Sequence, residues 1–95
     1  DAEIRQTLFK LRDADRKINL FKESLIPKAF QSLEVNRKGY ETGQLEFINL
    51  IDAERMLLEF QLAHERALAD HLVARANLAQ LTGIDFLTGD PHETN

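Results

Sequence analysis

The chain has 95 residues, a formal net charge of -4 and no cysteine. That length bounds it to one small domain. The missing cysteine rules out disulfides, zinc-thiolate sites and thiol nucleophiles, and the negative balance argues against nucleic acid, whose phosphates need a basic patch. Arg37-Lys38 is too small a basic cluster to reverse that. No apolar run approaches the roughly 20 residues that a membrane-crossing helix needs. The first residues already read as helix, with no initiator Met and no signal peptide, so the chain is expected to be a piece of a longer protein.

Residues 2–36 carry a heptad-like apolar pattern. Ile4, Leu11, Ile18 and Leu25 repeat every seven residues, and Ala14, Phe21 and Val35 form a second, offset series. Leu8, Ala29 and Leu33 widen the stripe, while Arg5, Lys10, Asp13, Arg16 and Lys17 fill much of the rest. Such spacing keeps one helix face apolar. Pro27 interrupts the pattern, at a cost of about 3 kcal/mol in a helix interior. Ser24, three residues upstream, could cap a new helix. The apolar spacing nevertheless continues from Leu25 to Ala29 and Leu33, which favours one helix over about 3–42, kinked at Pro27.

"RKGYETGQ", residues 37–44, reads as the turn, with Gly43 the breaker and Gly39 an early fray of the first helix. A second helix is expected over about 45–82. Its apolar residues fall in three adjacent seven-residue series: Ile51, Leu58, Leu72 and Ala79; Leu50, Leu57 and Leu78; Ala53, Phe60, Ala67, Ala74 and Leu81. A two-stranded seam uses two such series, so a third implies contact with more than one neighbouring helix. The helix is expected to end near Thr82-Gly83. The tail "IDFLTGDPHETN" shows no helical period. Its Ile84, Phe86 and Leu87 are candidates to fold back, and its last five residues read as disordered. The expected fold is therefore all-α, a long antiparallel helical hairpin of coiled-coil character with a loose C-terminal tail.

Catalytic and metal chemistry find little support. His64 and His71 are seven residues apart, about 10.5 Å along a helix, too far to share one metal ion. "HERAL" at 64–68 has Leu68 where a zinc-protease motif needs its second histidine. Ser24 and Ser32 sit in no nucleophile turn, and Gly39 and Gly43 lack the Lys-Ser/Thr of a phosphate loop. The expectation is no enzyme, no cofactor and two histidines at a helix–helix boundary. Leu45, Asn49, Asp52 and Met56, spaced four, three and four, are expected on one face of the second helix beside the turn.

Tyr40-x-x-Gly43, then Phe47, "LIDAER" at 50–55 and the Ala/Leu-rich run to Leu81-Thr82-Gly83 carry a resemblance. Residues 25–83 resemble the C-terminal part of outer-membrane efflux proteins, the TolC-like outer membrane factors. Leu25-Ile26-Pro27-x-Ala29 is most similar to the heavy-metal cation branch. The resemblance implies one fragment, residues 1–95, of a periplasmic helical tunnel, without the β-barrel and the first hairpin. It implies a trimer in the outer membrane of a Gram-negative bacterium, with this segment in the periplasm. It further implies a tip that meets an adaptor protein linked to an inner-membrane pump. Asn49 and Asp52 match positions lining the pore constriction, where Asn49 replaces one of two acids. Tyr40, Gly43 and Leu45 match the tip and its closed-state contacts, with Leu45 where some members carry an arginine. The alternative expectation is a generic coiled-coil interaction hairpin, adaptor-like or structural, which has no need of those motifs.

Overall fold

A computed structural model describes the backbone of residues 1–89 and the side-chain surroundings of residues 1–83. Every element among the described residues is helical: α1 (Ala2–Leu20), a five-residue π-turn (Phe21–Leu25), α2 (Ile26–Glu41) and α3 (Phe47–Gly89). α1, the π-turn and α2 join without a break, so the first helical run reaches from Ala2 to Glu41. The second is α3. The two runs lie against one another in a rod of 72 × 19 × 15 Å. Pairs across them descend in order: Tyr40 meets Phe47, Phe21 meets Phe60, and Asp15 meets His71.

The seam between the runs is built largely of alanine. The buried residues are Ala14 and Ala29 on the first run, and Leu50, Ala53, Leu57, Ala67 and Ala74 on α3. Alanine lets two helix backbones approach closely, but it shields far less apolar surface than a buried leucine, which contributes about 1.5–3 kcal/mol. No large side chain is fully buried among the described residues. The rod therefore holds together through a thin line of small contacts and leaves nearly half of its described large apolar side chains exposed.

Pro27 does not break the first helix, and its effect is seen one turn earlier. Ile26 N–H donates to the Phe21 carbonyl, five residues back rather than four. This wide turn ends where Pro27, with no N–H and a bulky ring, would crowd the preceding carbonyl. The extra residue shifts the apolar series by one position. Ile4, Leu11, Ala14, Ile18 and Phe21 face the seam before it; Ile26, Ala29, Leu33 and Asn36 do so after it. Val35, expected on the stripe, is consequently 65% exposed. Asn36 takes the inward position, and its side-chain amide donates to the Ser32 carbonyl at 2.7 Å.

The second helix starts two residues later than expected and runs past its expected end. Gly83 lies within α3 rather than closing it, because glycine permits a left-handed cap without enforcing one. Among the described residues Gly43 alone has positive φ. Thr82 donates its hydroxyl to the Leu78 carbonyl at 2.8 Å, as a residue inside a helix does. The expected loose tail is thus helical up to Gly89. Whether Ile84, Phe86 and Leu87 fold back concerns side chains outside the described ones, and residues 90–95, with the expected disorder, lie outside the described residues altogether.

Candidate functional site

The end of the rod is a turn with its backbone groups paired. Gly43 has φ 78°, the left-handed conformation that glycine adopts without penalty. Its N–H donates to the Tyr40 carbonyl at 3.0 Å, and the Gln44 N–H reaches back to the Gly39 carbonyl at 2.8 Å. Those two bonds are the 5→2 and 6→1 pair of a Schellman motif. The Gly39 carbonyl also accepts from Leu45 N–H at 3.0 Å and from the Thr42 hydroxyl at 3.2 Å.

Gly39 is not frayed, contrary to expectation, since α2 continues to Glu41. It leaves room for Leu45: a Cβ at position 39 would stand 2.5 Å from Leu45 Cδ1. Leu45 itself precedes α3 and folds onto the end of α2, so it does not share a helix face with Asn49 and Asp52 as the spacing suggested. Turn closure overrides the helical period there. Tyr40 and Phe47 pack ring to ring at 5.4 Å, tilted by 56°. This contact joins the last turn of α2 to the first turn of α3, and it gives the Tyr40-x-x-Gly43…Phe47 spacing a physical reason.

Asn49, Asp52 and Met56 lie in the first turns of α3 and are all exposed. The nearest cation to the Asp52 carboxylate is Arg55, one turn on, with Nη1 at 3.9 Å. Arg55 was not anticipated, although its i,i+3 spacing from Asp52 could have revealed it. The stripe therefore presents an acid with a basic neighbour rather than an isolated carboxylate.

Along the rest of α3 the two flanks of the seam differ. Helical geometry places Ile48, Ile51, Leu58, Leu62 and Leu72 together on one flank, interrupted by Arg55 and Glu65 at the same seven-residue positions. Leu58 is 54% exposed and Leu72 62% exposed, so the third apolar series does not enter the seam. On the opposite flank lie Asn49, Asp52, Glu59, Arg66, Asp70 and Asn77, with the exposed Met56 and Val73 among them. Between the flanks, His64 and His71 hold the seam positions that Leu50, Leu57 and Leu78 occupy elsewhere. His71 Nε2 lies 2.8 Å from Asp15 Oδ1, the one imidazole–carboxylate contact between the runs among the described residues.

Among the described residues, fold and site together define a helical rod with a closed tip, a mostly polar flank and a mostly apolar, exposed flank. Comparison with protein families, with curated proteins and with solved structures finds no match to this chain.

Proposed function

We propose that the chain is a wall segment of a trimeric outer-membrane efflux duct. In this reading it forms an antiparallel, coiled-coil-like helical hairpin in the periplasm, whose tip around Tyr40, Gly43 and Leu45 docks an adaptor serving an inner-membrane pump. No matching relative supports the family, so the reading rests on the chain itself. One observation carries it: α3 bears a mostly apolar flank, broken by Arg55 and Glu65, and a mostly polar flank on either side of its seam. A free-standing helical pair gains nothing from an exposed row such as Leu58, Leu62 and Leu72. A tunnel-wall helix needs that pattern, because it packs sideways on neighbours and still shows one stripe to water. Asn49 and Asp52 stand on the watery stripe next to the tip, where three copies around one axis would form a ring that attracts cations.

A plain interaction hairpin is the second reading, favoured by the even three-and-four spacing of α3 seam residues from Leu50 to Leu81. Channel recordings separate the two. In the full-length protein, Asp52→Ala is expected to lower single-channel cation selectivity. Unchanged conductance and selectivity would remove Asp52 from the constriction. Sedimentation tests the flank: the chain is expected to self-associate, and Leu58→Glu with Leu72→Glu to abolish association. A wild-type monomer at high concentration would refute the wall reading.

A further inference from the structure

The apolar flank of α3 is broken at Arg55 and Glu65, and the two breaks are related. From Ile48 to Leu72 the flank rises by alternating steps of three and four residues, the spacing of a two-stranded coiled-coil seam. Every residue on it is exposed except the half-buried Ile51. It is a second seam, turned away from the first run and uncovered among the described residues. Any three-and-four seam has mirror positions about its middle, here position 60. What this sequence adds is the chemistry at those positions. Arg55 mirrors Glu65, while Leu58 mirrors Leu62, Ile51 mirrors Ala69 and Ile48 mirrors Leu72. Neither charge is firmly held within the chain. Arg55 reaches Asp52 only at 3.9 Å, with side chains 64% and 61% exposed. Glu65 has Gln61, Leu62, Leu68 and Ala69 one turn away, none of them a cation, and it makes no ion pair among the described residues.

We infer that this flank recognises a second copy of the chain, joining two α3 helices antiparallel about a twofold axis at position 60. In a twofold pair, mirror positions face one another and every contact occurs twice. Leu58 meets Leu62 at the centre, Arg55 meets Glu65 in the next layer, and Ile48 meets Leu72 at the ends. The layers extend over roughly 36 Å at the rise of an ideal helix. Sliding the pair by one heptad sets Arg55 against Leu58 or Leu72 and Glu65 against Ile48 or Leu62, so both charges lose their partners. A parallel pair in register sets Arg55 against Arg55 and Glu65 against Glu65. One orientation and one register are thus selected by exclusion as well as by attraction. At the edge of the seam the same register brings Asp52 beside Arg66 of the other copy twice and Glu59 beside its own copy once, so opposite charges outnumber like ones there too. The inference does not depend on the efflux reading. Copies around one duct axis run the same way and would set the flank on a different neighbour, so the antiparallel pair is the assembly of the chain on its own.

Two measurements on the full chain test it. In sedimentation equilibrium the wild type is expected to dimerise. Arg55→Glu or Glu65→Arg alone should weaken association about tenfold, since each sets like charges opposite one another twice. Both changes together should restore it, which a folding defect in either single variant would not allow. Orientation is read by disulfide formation, the chain having no cysteine of its own. Ile48→Cys mixed with Leu72→Cys should give a mixed cross-linked dimer. Ile48→Cys alone should give none, because its two copies lie roughly 36 Å apart and a disulfide joins Cα atoms about 6 Å apart. Association unchanged in both single reversals would overturn the inference. Cross-linking of Ile48→Cys alone would also overturn it while leaving the wall reading standing, and a monomeric wild type would refute both.

Discussion

Among the described residues the chain leaves regular α-helix at two places, and they differ in kind. At residues 42–46 it turns, and the freed backbone groups are taken up locally by Gly39 and Tyr40 carbonyls. At Phe21–Leu25 it keeps its direction and merely adds a residue to one turn. The first departure is written in a residue that must be there, since φ 78° at position 43 suits glycine and strains most other residues. The second is written in a residue that forbids something, since Pro27 offers no N–H and needs room for its ring. A required conformation produces a sharp local feature. A forbidden one displaces its consequence along the chain, here as a one-residue slip of the whole seam beyond it.

That contrast can be broken experimentally, most strongly at the π-turn. Deleting Lys22 should restore one unbroken heptad phase from Ile4 onward but confront Pro27 with a regular helical turn. The deletion alone is expected to cost about 3 kcal/mol in urea unfolding, the price of an interior proline. Deletion together with Pro27→Ala should recover nearly all of that loss. If the double change is no better than the deletion, the slip has a cause other than proline.

Gly43→Val comes next, with an expected loss of about 2 kcal/mol from forcing a β-branched residue to positive φ. The same unfolding experiment reads it, and a neutral result would mean that the tip has another route round the turn. The smallest effect is expected at Gly39→Ala, where better helix propensity partly offsets the clash with Leu45, for a net loss of about 1 kcal/mol. Adding Leu45→Ala should relieve that clash, so the pair of changes should cost less than the sum of the two. Additive losses would show that the close approach of Leu45 does not set the tip.

Much of α3 was legible because its period is regular. Leu50, Leu57 and Leu78 mark one seam series and Ala53 to Leu81 the other. The histidines complete the first of these by simple counting, and only their polarity disguised it. The turn was legible through Gly43. The slip was not, because Val35 and Asn36 are adjacent and a single inserted residue decides which of them faces inward. The helix end was misplaced because Gly83 permits a stop that its surroundings do not impose. At the tip, the four-three-four spacing grouped Leu45 with Asn49 by assuming helix where the chain is still turning. The Tyr40–Phe47 contact was visible only as a spacing, since a ring meeting a ring across a turn has no period to announce it.

The π-turn also gives the rod a mechanical advantage. Between it and the tip run the 16 residues of α2, roughly 24 Å at the rise of an ideal helix. A bend of about 10° at the wide turn would therefore swing the Gly43 end sideways by roughly 4 Å. A small local yielding near Phe21 becomes, at the far end of this lever, a displacement comparable to the width of a side chain.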